Sequence, residues 1–345
     1  MTGRERVFEA MHFRSPDKVP VRINCTPVGY YEHGDKLNRL YETIPDDFGP
    51  FRNMPVPVLP AEDFDADGHY HAFKTDNWGV TWEYRIFGIA GIPYRHPINT
   101  PEDAECYQPP MPPTLSGPEF DAYAAAVREK KEAGYHAMES DMWLNLFERL
   151  LSLYGDENVL CDIETNEREI GILADRVAEY DKAILERGVK AGVDSFLFGD
   201  DYGTERALLM SPATWRRFMK PRLKKLFQPA VDKGIDIHFH SCGQIWDILP
   251  DLKDIGVTSV WPQIPAYSME DLARYCRQLG LAVEVHTDRA NTMTYGTPRD
   301  VRELVKREYD TFRMAEGGAW FYIEADNGFP FANLEALVET IQEIR

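Results

Sequence analysis

Three consecutive segments decide the fold: DSFLFGD at Asp194–Asp200, SPATWRRFMKPRLKKLFQPAVDK at Ser211–Lys233, and DIHFHSC at Asp236–Cys242. The first is short with an apolar centre, and the third is short and alternates polar residues with Ile237 and Phe239, so both are predicted to be strands. The middle segment starts with Ser-Pro, which is typical of a capped helix with proline in its first turn. The order strand, helix, strand predicts two parallel strands joined by a crossover helix.

The same alternation continues on both sides of this unit. Further strands are predicted at Val19–Asn24, Tyr135–Asp141, Val257–Pro262, Ala282–Asp288 and Ala319–Asp326, and a further helix at Thr297–Glu316. Repeated strand–helix units predict an α/β protein with a parallel sheet, and one further strand would close them into a (β/α)8 TIM barrel. An open doubly wound sheet is the alternative, but no glycine-rich nucleotide turn follows any strand.

Residues 1–130 are less regular than residues 131–345. They predict a helix at Gly3–Phe13, a loop region at Pro45–Gly68, a hairpin of Trp78–Arg85 and Ile92–His96, and a helix at Glu119–Ala133. Proline and glycine punctuate the loop and the hairpin. We interpret residues 1–345 as a single barrel domain with an N-terminal extension and a hairpin.

Composition and charge exclude several classes of protein. The 345 residues are 43% hydrophobic and 28% charged, which excludes a disordered or collagen-like chain. A net charge of −19 argues against nucleic acid and anionic lipid as partners. The five cysteines are scattered, and the N-terminus has no apolar secretory segment, so reduced thiols and a cytoplasmic location are expected. No apolar run is long enough to cross a membrane.

Carboxylate, imidazole and thiol groups cluster where the predicted strands end. These strand ends are Glu139-Ser-Asp141, Asp200-Asp201-Tyr202, His238-Phe-His240-Ser-Cys242-Gly243, Glu284-Val-His286-Thr-Asp288 and Glu324-Ala-Asp326-Asn327. The active site of a parallel barrel lies at the carboxyl ends of its strands. The pattern therefore predicts a polar pocket whose chemistry is assisted by a metal.

His240 and Cys242 are the predicted metal ligands. Residues two apart in a strand share a face, and imidazole together with thiolate selects zinc. Glu324, at the end of the last strand, is the first choice for the third ligand. Its rivals are Asp326, Glu284, His286 and Asp288. The alternative is a core histidine beside a buried thiol, because two ligands at this spacing are weak evidence for a metal.

Other polar residues receive provisional roles. Catalytic roles are assigned to Asp201, His286 and Asp288, and substrate contacts to Asp200, Tyr202, Trp261 and Asp141. Asp200 and Asp201 are either paired carboxylates that share a proton or a helix cap with an orienting partner. His286 and Asp288 either deliver a proton or form a hydrogen-bonded pair, and His238 is expected to be packed or hydrogen-bonded. The remaining aromatic and thiol candidates either line the pocket or belong to the core: Trp78, Trp82, Tyr84, Trp261 and Cys25.

Several motifs in this order resemble the uroporphyrinogen decarboxylase superfamily. They are Arg4-Glu-Arg-Val, Pro16-Asp-Lys-Val-Pro-Val21, Phe196-Leu-Phe-Gly-Asp-Asp-Tyr-Gly-Thr-Glu205, Met210-Ser-Pro-Ala-Thr-Trp-Arg-Arg-Phe-Met-Lys-Pro221, His240-Ser-Cys-Gly243, Asp288 with Tyr295-Gly-Thr-Pro298, and Phe331-Ala-Asn-Leu-Glu-Ala-Leu337. The resemblance implies a (β/α)8 barrel. It also implies either of two activities, which the sequence separates.

True uroporphyrinogen decarboxylases need no metal and hold an octacarboxylate with arginines in an N-terminal Arg-Gln-Ala-Gly-Arg segment. The matching stretch here, Val21–Tyr30, has Arg22 alone. The other branch comprises zinc-dependent corrinoid methyltransferases, whose His-x-Cys motif matches His240 and Cys242. Their final cysteine is missing, and Glu324 stands within a residue of its place. That difference leaves a zinc site richer in oxygen, suited to polarising an ether oxygen.

The resemblance thus implies a zinc-dependent O-demethylase that transfers a methyl group from a methoxylated, aromatic substrate to the Co(I) corrinoid of a partner protein. No corrinoid-binding Asp-x-His-x-x-Gly motif occurs in the chain, so the corrinoid is expected to come from that partner. The alternatives are a cofactor-free decarboxylase that uses Asp200 or Asp201 as its acid or base, and a non-enzymatic protein that binds a tetrapyrrole.

Overall fold

The computed structural model describes residues 1–140 and 144–345. Its strands are β1 Val21–Asn24, β2 Ala72–Thr75, β3 Thr81–Tyr84, β4 Ile92–Arg95, β5 Met138–Leu144, β6 Ser195–Gly199, β7 Asp236–Ser241, β8 Ser259–Pro262, β9 Ala282–His286 and β10 Ala319–Glu324. Seven of them form one parallel sheet in the order β1-β10-β9-β8-β7-β6-β5. The predicted parallel α/β architecture is therefore confirmed.

Helices follow most of these strands. They are α1 Gly3–Met11, α2 Pro27–His33, α3 Asp35–Tyr41, α4 Pro101–Cys106, α5 Pro118–Glu132, α6 Phe147–Tyr154, α7 Asp156–Thr165, α8 Glu167–Ala191, α9 Pro212–Phe218, α10 Lys220–Val231, α11 Leu249–Asp254, α12 Met269–Leu279, α13 Pro298–Thr311 and α14 Phe331–Ile344. Short 3-10 turns occur at Ala61–Asp63, Trp246–Ile248, Ile264–Ala266 and Met314–Glu316, and a π-helix at Arg289–Met293. No helix of the described chain is long and apolar enough to cross a membrane.

The predicted closed barrel is not completed in the described part of the chain. The sheet curls into a half-barrel, and among the described residues no pairing joins β1 to β5 along a gap that we call the seam. Asp47 bridges the seam at one end. Its amide donates to the Val21 carbonyl oxygen at 2.9 Å, and its own carbonyl oxygen accepts from the His136 amide at 3.0 Å. One residue of irregular chain thus connects β1 with the segment before β5, and the further strand that would close the barrel is not found among the described residues.

Helix α1 covers the amino-terminal end of the curled sheet. Its Val7 and Met11 pack against interior residues of three strands, Leu197, Ala282 and Trp320. This apolar plug is buried, so water and ligands are excluded from that end of the sheet. The carboxyl ends of the strands are left to form the site.

Two predicted helices are shorter or broken. The segment Pro212–Lys233 forms α9 and α10, which meet at Met219, because Pro221 has no amide hydrogen and restricts the residue before it. The segment Thr297–Glu316 ends as a helix at Thr311, because Arg313 adopts a left-handed conformation with φ of 52°.

The predicted N-terminal hairpin has a third strand. Strands β2, β3 and β4 form a separate antiparallel sheet, with β3 in the middle. Strand β2 was missed because residues 72–75 lie in a polar stretch without period-2 apolar alternation.

Candidate functional site

Three ligand-type side chains meet at the carboxyl ends of β6 and β7. Cys242 Sγ lies 3.6 Å from His240 Nε2, and Asp201 Oδ1 lies 3.5 Å from the same nitrogen. Among the described residues, Asp201, His240 and Cys242 form the single set of three whose ligand atoms all lie within 4.8 Å of one another. We call this set the Asp–His–Cys group.

Glycines bring the two loops of this group together. A Cβ atom on Gly243 would lie 2.2 Å from the backbone carbon of Gly203, and a Cβ on Gly203 would lie 2.5 Å from the Gln244 amide nitrogen. Gly243 also has a φ of 72°, which side chains rarely tolerate. The loops after β6 and β7 therefore touch through their backbones, and Asp201 Oδ1 accepts a hydrogen bond from the Cys242 amide at 2.6 Å.

The spacing of the Asp–His–Cys group fits a zinc ion. Tetrahedral bonds of about 2.3 Å to sulfur and about 2.0 Å to nitrogen would set those two atoms about 3.5 Å apart. The observed separation of Cys242 Sγ and His240 Nε2 is 3.6 Å. Magnesium and calcium prefer oxygen ligands alone, so a thiol and an imidazole disfavour them.

Burial sets the protonation of His240 and of Cys242. It lowers the pKa of His240, although the Asp201 carboxylate opposes that shift, and a neutral imidazole is the ligand form. Burial, with the negative charge of Asp201, raises the pKa of the Cys242 thiol to about 12. Without a cation the thiol keeps its proton, so metal binding would release it.

The third member of the group differs from the sequence expectation. We expected Glu324, with Asp326, Glu284, His286 and Asp288 as rivals, but the carboxylate beside His240 and Cys242 belongs to Asp201. The reason is the contact between the loops after β6 and β7, which are neighbouring strands. Glu324 lies at the end of β10, farther along the sheet.

Glu324 instead faces His286. Its Oε2 lies 3.7 Å from His286 Nε2, while its Oε1 accepts hydrogen bonds from Asn24 Nδ2 at 2.9 Å and the Tyr322 hydroxyl at 3.1 Å. Burial and the nearby charge of Asp326 raise the pKa of Glu324. Burial, and then the Arg289 cation, lower the pKa of His286 to about 3. The His286 imidazole is therefore neutral near pH 7, and the neighbouring carboxyl group has a raised pKa.

Asp200 and Tyr202 lie in the core and not at the pocket surface. Asp200 is fully buried and accepts hydrogen bonds from the amides of Leu146, Phe147 and Glu148 at 3.2, 2.8 and 2.8 Å. The Tyr202 hydroxyl donates to it at 2.5 Å. Burial raises the pKa of Asp200 to about 6, although the four hydrogen bonds act to lower it. The expected substrate contacts of both residues are therefore corrected: Asp200 caps the start of α6, which is the second of the two alternatives.

Asp288 also serves the backbone. Its carboxylate accepts from the amides of Ala290, Asn291 and Thr292 at 3.1, 3.2 and 3.3 Å, so it caps the π-helix. Its catalytic role stays a prediction. Asp326 pairs with Arg289, whose Nη1 lies 3.2 Å from Asp326 Oδ2.

Residues 151–343 match the family profile described as uroporphyrinogen decarboxylase (URO-D). This span is more than half of the 345 residues. The chain belongs to the uroporphyrinogen decarboxylase family. None of the curated protein sequences matches it.

Among solved structures, a methyltransferase from Methanosarcina mazei matches this URO-D family chain over 99% of both chains, with a TM-score of 0.64 and 16% sequence identity. Likeness at this identity shows a shared fold. Two further structures match about half of the chain. They are a Xanthomonas albilineans dihydropteroate synthase (TM-score 0.34, 11% identity, 49% of this chain and 62% of that one) and a triazine hydrolase variant (TM-score 0.30, 12% identity, 57% and 61%). At these scores they support no conclusion.

A buried ionic network lies inside the sheet of this URO-D family chain. Arg22 donates to both carboxylate oxygens of Glu284, whose Oε1 also accepts from Trp320 Nε1 at 2.7 Å and whose Oε2 lies 3.2 Å from His238 Nε2. His238 Nδ1 lies 2.9 Å from the Ser259 hydroxyl, so this histidine is packed and hydrogen-bonded as expected. Both carboxylate oxygens of Glu284 have partners within this network, and Glu284 is not a member of the Asp–His–Cys group.

The aromatic candidates separate into two sets. The Trp261 ring packs on His240 and on Tyr322, with centroids 4.2 and 4.6 Å away, so it borders the site. Trp78, Trp82 and Tyr84 belong to or adjoin the separate antiparallel sheet. There Trp78 is buried against Tyr180. Asp141, the remaining predicted substrate contact, lies outside the described residues.

Sequence reasoning missed Arg22, Asn24 and Tyr322 as parts of the site. Arg22 stacks over the rings of Trp261 and Tyr322, at 5.1 and 4.3 Å from their centroids. Period 2 along the strands was the available pattern, because Arg22 and Asn24 share one face of β1, as do Tyr322 and Glu324 on β10.

Proposed function

We propose that this URO-D family protein is a zinc-dependent methyltransferase of the O-demethylase type. It would act on a methoxylated, aromatic substrate and deliver the methyl group to the Co(I) corrinoid of a partner protein. The single observation that carries the proposal is the Asp–His–Cys group, whose ligand types and spacing suit zinc. The fold shared with the Methanosarcina mazei methyltransferase is compatible with it.

Asp201, His240 and Cys242 would hold the ion through one oxygen, one nitrogen and one sulfur atom. Three protein ligands leave a fourth tetrahedral position for the substrate, as in catalytic zinc sites. When bound there, zinc would supply a Lewis acid at the ether oxygen. His240 is oriented for this task, because its Nδ1 is engaged by the Trp261 carbonyl oxygen and its Nε2 faces the other two ligands.

Glu324 is the proposed proton donor. During methyl transfer the ether C–O bond breaks with both electrons remaining on oxygen, and that oxygen must gain a proton. Burial raises the pKa of Glu324, which favours its acid form, whereas the lowered pKa of His286 leaves that imidazole neutral near pH 7. We therefore transfer the acid role from His286 and Asp288 to Glu324, with His286 beside it as a hydrogen-bonding neighbour.

The first experiment is metal analysis by plasma mass spectrometry. Protein purified anaerobically without chelator should contain close to one zinc per chain, and Cys242→Ala should lose it. Cys161→Ala is the matched control, because that thiol is exposed on α7, outside the Asp–His–Cys group, and the variant should keep its zinc. The zinc protein should then demethylate a methoxyarene such as guaiacol with cob(I)alamin as acceptor.

Two results would reject the proposal. Zinc absent from both parent and control after reconstitution would remove the Lewis acid. Release of carbon dioxide from a carboxylated tetrapyrrole by the metal-free protein would establish the decarboxylase alternative, which the family match keeps open. One observation disfavours that alternative. Arg22 is the one arginine of the Val21–Tyr30 segment, and its charge is already paired with buried Glu284.

A further inference from the structure

A crevice of about 300 Å³ lies between the start of α12, the loop after β9 and one turn of α13. We call it the α12–α13 crevice. Its walls come from residues 264–270, from Asp288 and Thr292, and from residues 304–308. Ligand pockets span about 300–1,000 Å³, so the α12–α13 crevice has the size for a small ligand.

The α12–α13 crevice is separate from the proposed zinc site. No member of the Asp–His–Cys group lines it, and neither do Glu324 and His286. Asp288 does line it, but the Asp288 carboxylate is already engaged by the amides that it caps. A ligand of this crevice would therefore contact a different set of side chains from a substrate of the proposed zinc site.

Glu308 brings a carboxyl group to the wall of the α12–α13 crevice. Only 1% of the residue is exposed, and its Oε2 accepts a hydrogen bond from the Thr287 hydroxyl at 2.7 Å. Within the described part of the chain, its Oε1 makes no hydrogen bond. Polar atoms in protein interiors are nearly always paired, so a free carboxyl oxygen at the wall of a crevice favours a ligand that donates a hydrogen bond to it.

The charges around the α12–α13 crevice favour a cation. Glu308, Asp288 and Glu270 all line it, whereas Arg307 is the one cation among the lining residues and pairs with Glu270 at 2.7 Å. Burial, with the charge of Asp288, raises the pKa of Glu308 to about 8, although the Thr287 hydrogen bond opposes the shift. A cation bound beside Glu308 would offset both causes of that shift.

Most of the remaining wall is apolar, which favours an organic cation over a metal ion. Aliphatic groups come from Ile264, Pro265, Met269 and Leu304. The Tyr267 hydroxyl is already engaged, because it donates to the Gly243 carbonyl oxygen at 2.7 Å. Glu308 belongs to no set of three metal-ligating atoms among the described residues. Apolar walls beside one free carboxyl oxygen match a ligand with a short hydrocarbon chain and a charged donor group.

We propose that the α12–α13 crevice is a binding site for a small aliphatic ammonium ion. The ammonium group donates to Oε1 of Glu308, and the hydrocarbon chain packs on Ile264 and Leu304. At neutral pH the ligand displaces the Glu308 proton to solvent. The site needs neither zinc nor methyl transfer, so it does not rest on the proposed function.

Titration calorimetry with n-hexylammonium chloride at pH 8.5 tests this inference on the whole protein, as purified and again after chelator treatment. We expect one saturable site that chelation leaves unchanged, with binding at least tenfold tighter than that of hexanol or hexanoate. Glu308→Gln should weaken hexylammonium binding at least tenfold. Glu303→Gln is the matched control and should keep the parental affinity, because Glu303 is exposed on the same helix and does not line the crevice.

The pH dependence identifies the group that holds the cation. The affinity should rise from pH 6 to pH 8 and then level off, because hexylammonium competes with the proton of Glu308. Calorimetry in two buffers of different ionisation enthalpy should show close to one proton released per ammonium bound at pH 6.5. Both effects should be absent in Glu308→Gln, which leaves Asp288, Glu270 and Arg307 unchanged.

Four results would overturn the inference. They are a parent protein without a saturable site, equal affinity of Glu308→Gln and Glu303→Gln, hexanol binding as tightly as hexylammonium, and a pH dependence that persists in Glu308→Gln. Loss of binding after chelation would assign the amine to the metal instead.

Discussion

Nδ1 of His240 donates a hydrogen bond to the backbone carbonyl oxygen of Trp261, at 2.9 Å. A carbonyl oxygen can only accept, so the proton of the neutral ring is on Nδ1 and the lone pair is on Nε2. That lone pair faces Cys242 Sγ and Asp201 Oδ1. The main chain of β8 therefore fixes the tautomer that a metal requires, before any ion binds.

Asp201 and Glu324 can be separated as ligands by two isosteric substitutions. Losing a residue that hydrogen-bonds to a metal ligand typically lowers metal affinity by roughly 10- to 100-fold. Asp201→Asn should lower zinc affinity by more than this, because it removes a charged ligand. Glu324→Gln should leave zinc affinity within about threefold of the parent, since Glu324 does not belong to the Asp–His–Cys group. Competition with a fluorescent zinc chelator measures both constants. A larger loss in Glu324→Gln would restore the ligand that the sequence suggested.

Asp200 should matter for stability through the start of α6. Asp200→Ala leaves three backbone amides and the Tyr202 hydroxyl without their buried acceptor, so it should cost about 3 kcal/mol or more of the free energy of unfolding. Asp201→Ala, measured without metal, should cost no more than about 1 kcal/mol, because that carboxylate is half-buried and accepts one amide. Urea unfolding followed by circular dichroism compares the two, and equal losses would contradict the assignment.

Periodicity predicted the sheet because its strands bury both faces. Residues 196–199 form a continuous apolar run and Asp236–Cys242 alternates polar and apolar residues, and the structure gives β6 and β7 there. The open seam could not be predicted, because it depends on where one irregular residue, Asp47, docks between two strands that are remote in sequence. Nothing in the local composition of residues 45–49 specifies that contact.

The sequence predicted which residues form the site better than it predicted which of them lie next to one another. Strand ends located His240, Cys242, Asp201 and Glu324, because carboxyl ends of parallel strands meet at one edge. Which carboxylate joins the histidine and the cysteine depends on the close approach of Gly203 and Gly243. Likewise Asp200 and Asp201 are adjacent in sequence and opposite in role, because one points into the core and the other toward the Asp–His–Cys group.

Glu308 should make stability depend on pH. It is buried, accepts a hydrogen bond from the Thr287 hydroxyl at 2.7 Å, and burial raises its pKa to about 8. Between the unfolded pKa of about 4.3 and this value, the folded protein holds a proton that the unfolded chain has lost, so stability falls as pH rises through that window. The slope from this group approaches about 1.4 kcal/mol per pH unit.

Glu308→Gln removes the titration and keeps the shape of the side chain. The variant should therefore gain free energy of unfolding relative to the parent as pH rises from 5 to 8, and the difference should level off above pH 8. Urea unfolding at five pH values measures this. A difference that stays constant across the range would show that Glu308 is ionised throughout.

Removing Glu284 should destabilise the folded protein more than removing Arg22. Burial alone would raise the pKa of Glu284, but the Arg22 charge and the hydrogen bonds of His238 and Arg22 lower it below its usual range, so the carboxylate is ionised. Arg22→Met leaves that carboxylate with Trp320 and His238 as remaining partners. Glu284→Leu leaves the Arg22 cation buried without its counter-ion and also removes the acceptor of the Trp320 indole. Breaking a buried ion pair costs about 3–5 kcal/mol of the free energy of unfolding. We expect Glu284→Leu to lose at least that much and to lose more than Arg22→Met.

The double variant should be more stable than Glu284→Leu alone, because it buries no unpaired charge. A double variant that loses the sum of the two single losses would mean that the two side chains stabilise the sheet independently, and that Arg22 acts through its stacking on Trp261 and Tyr322.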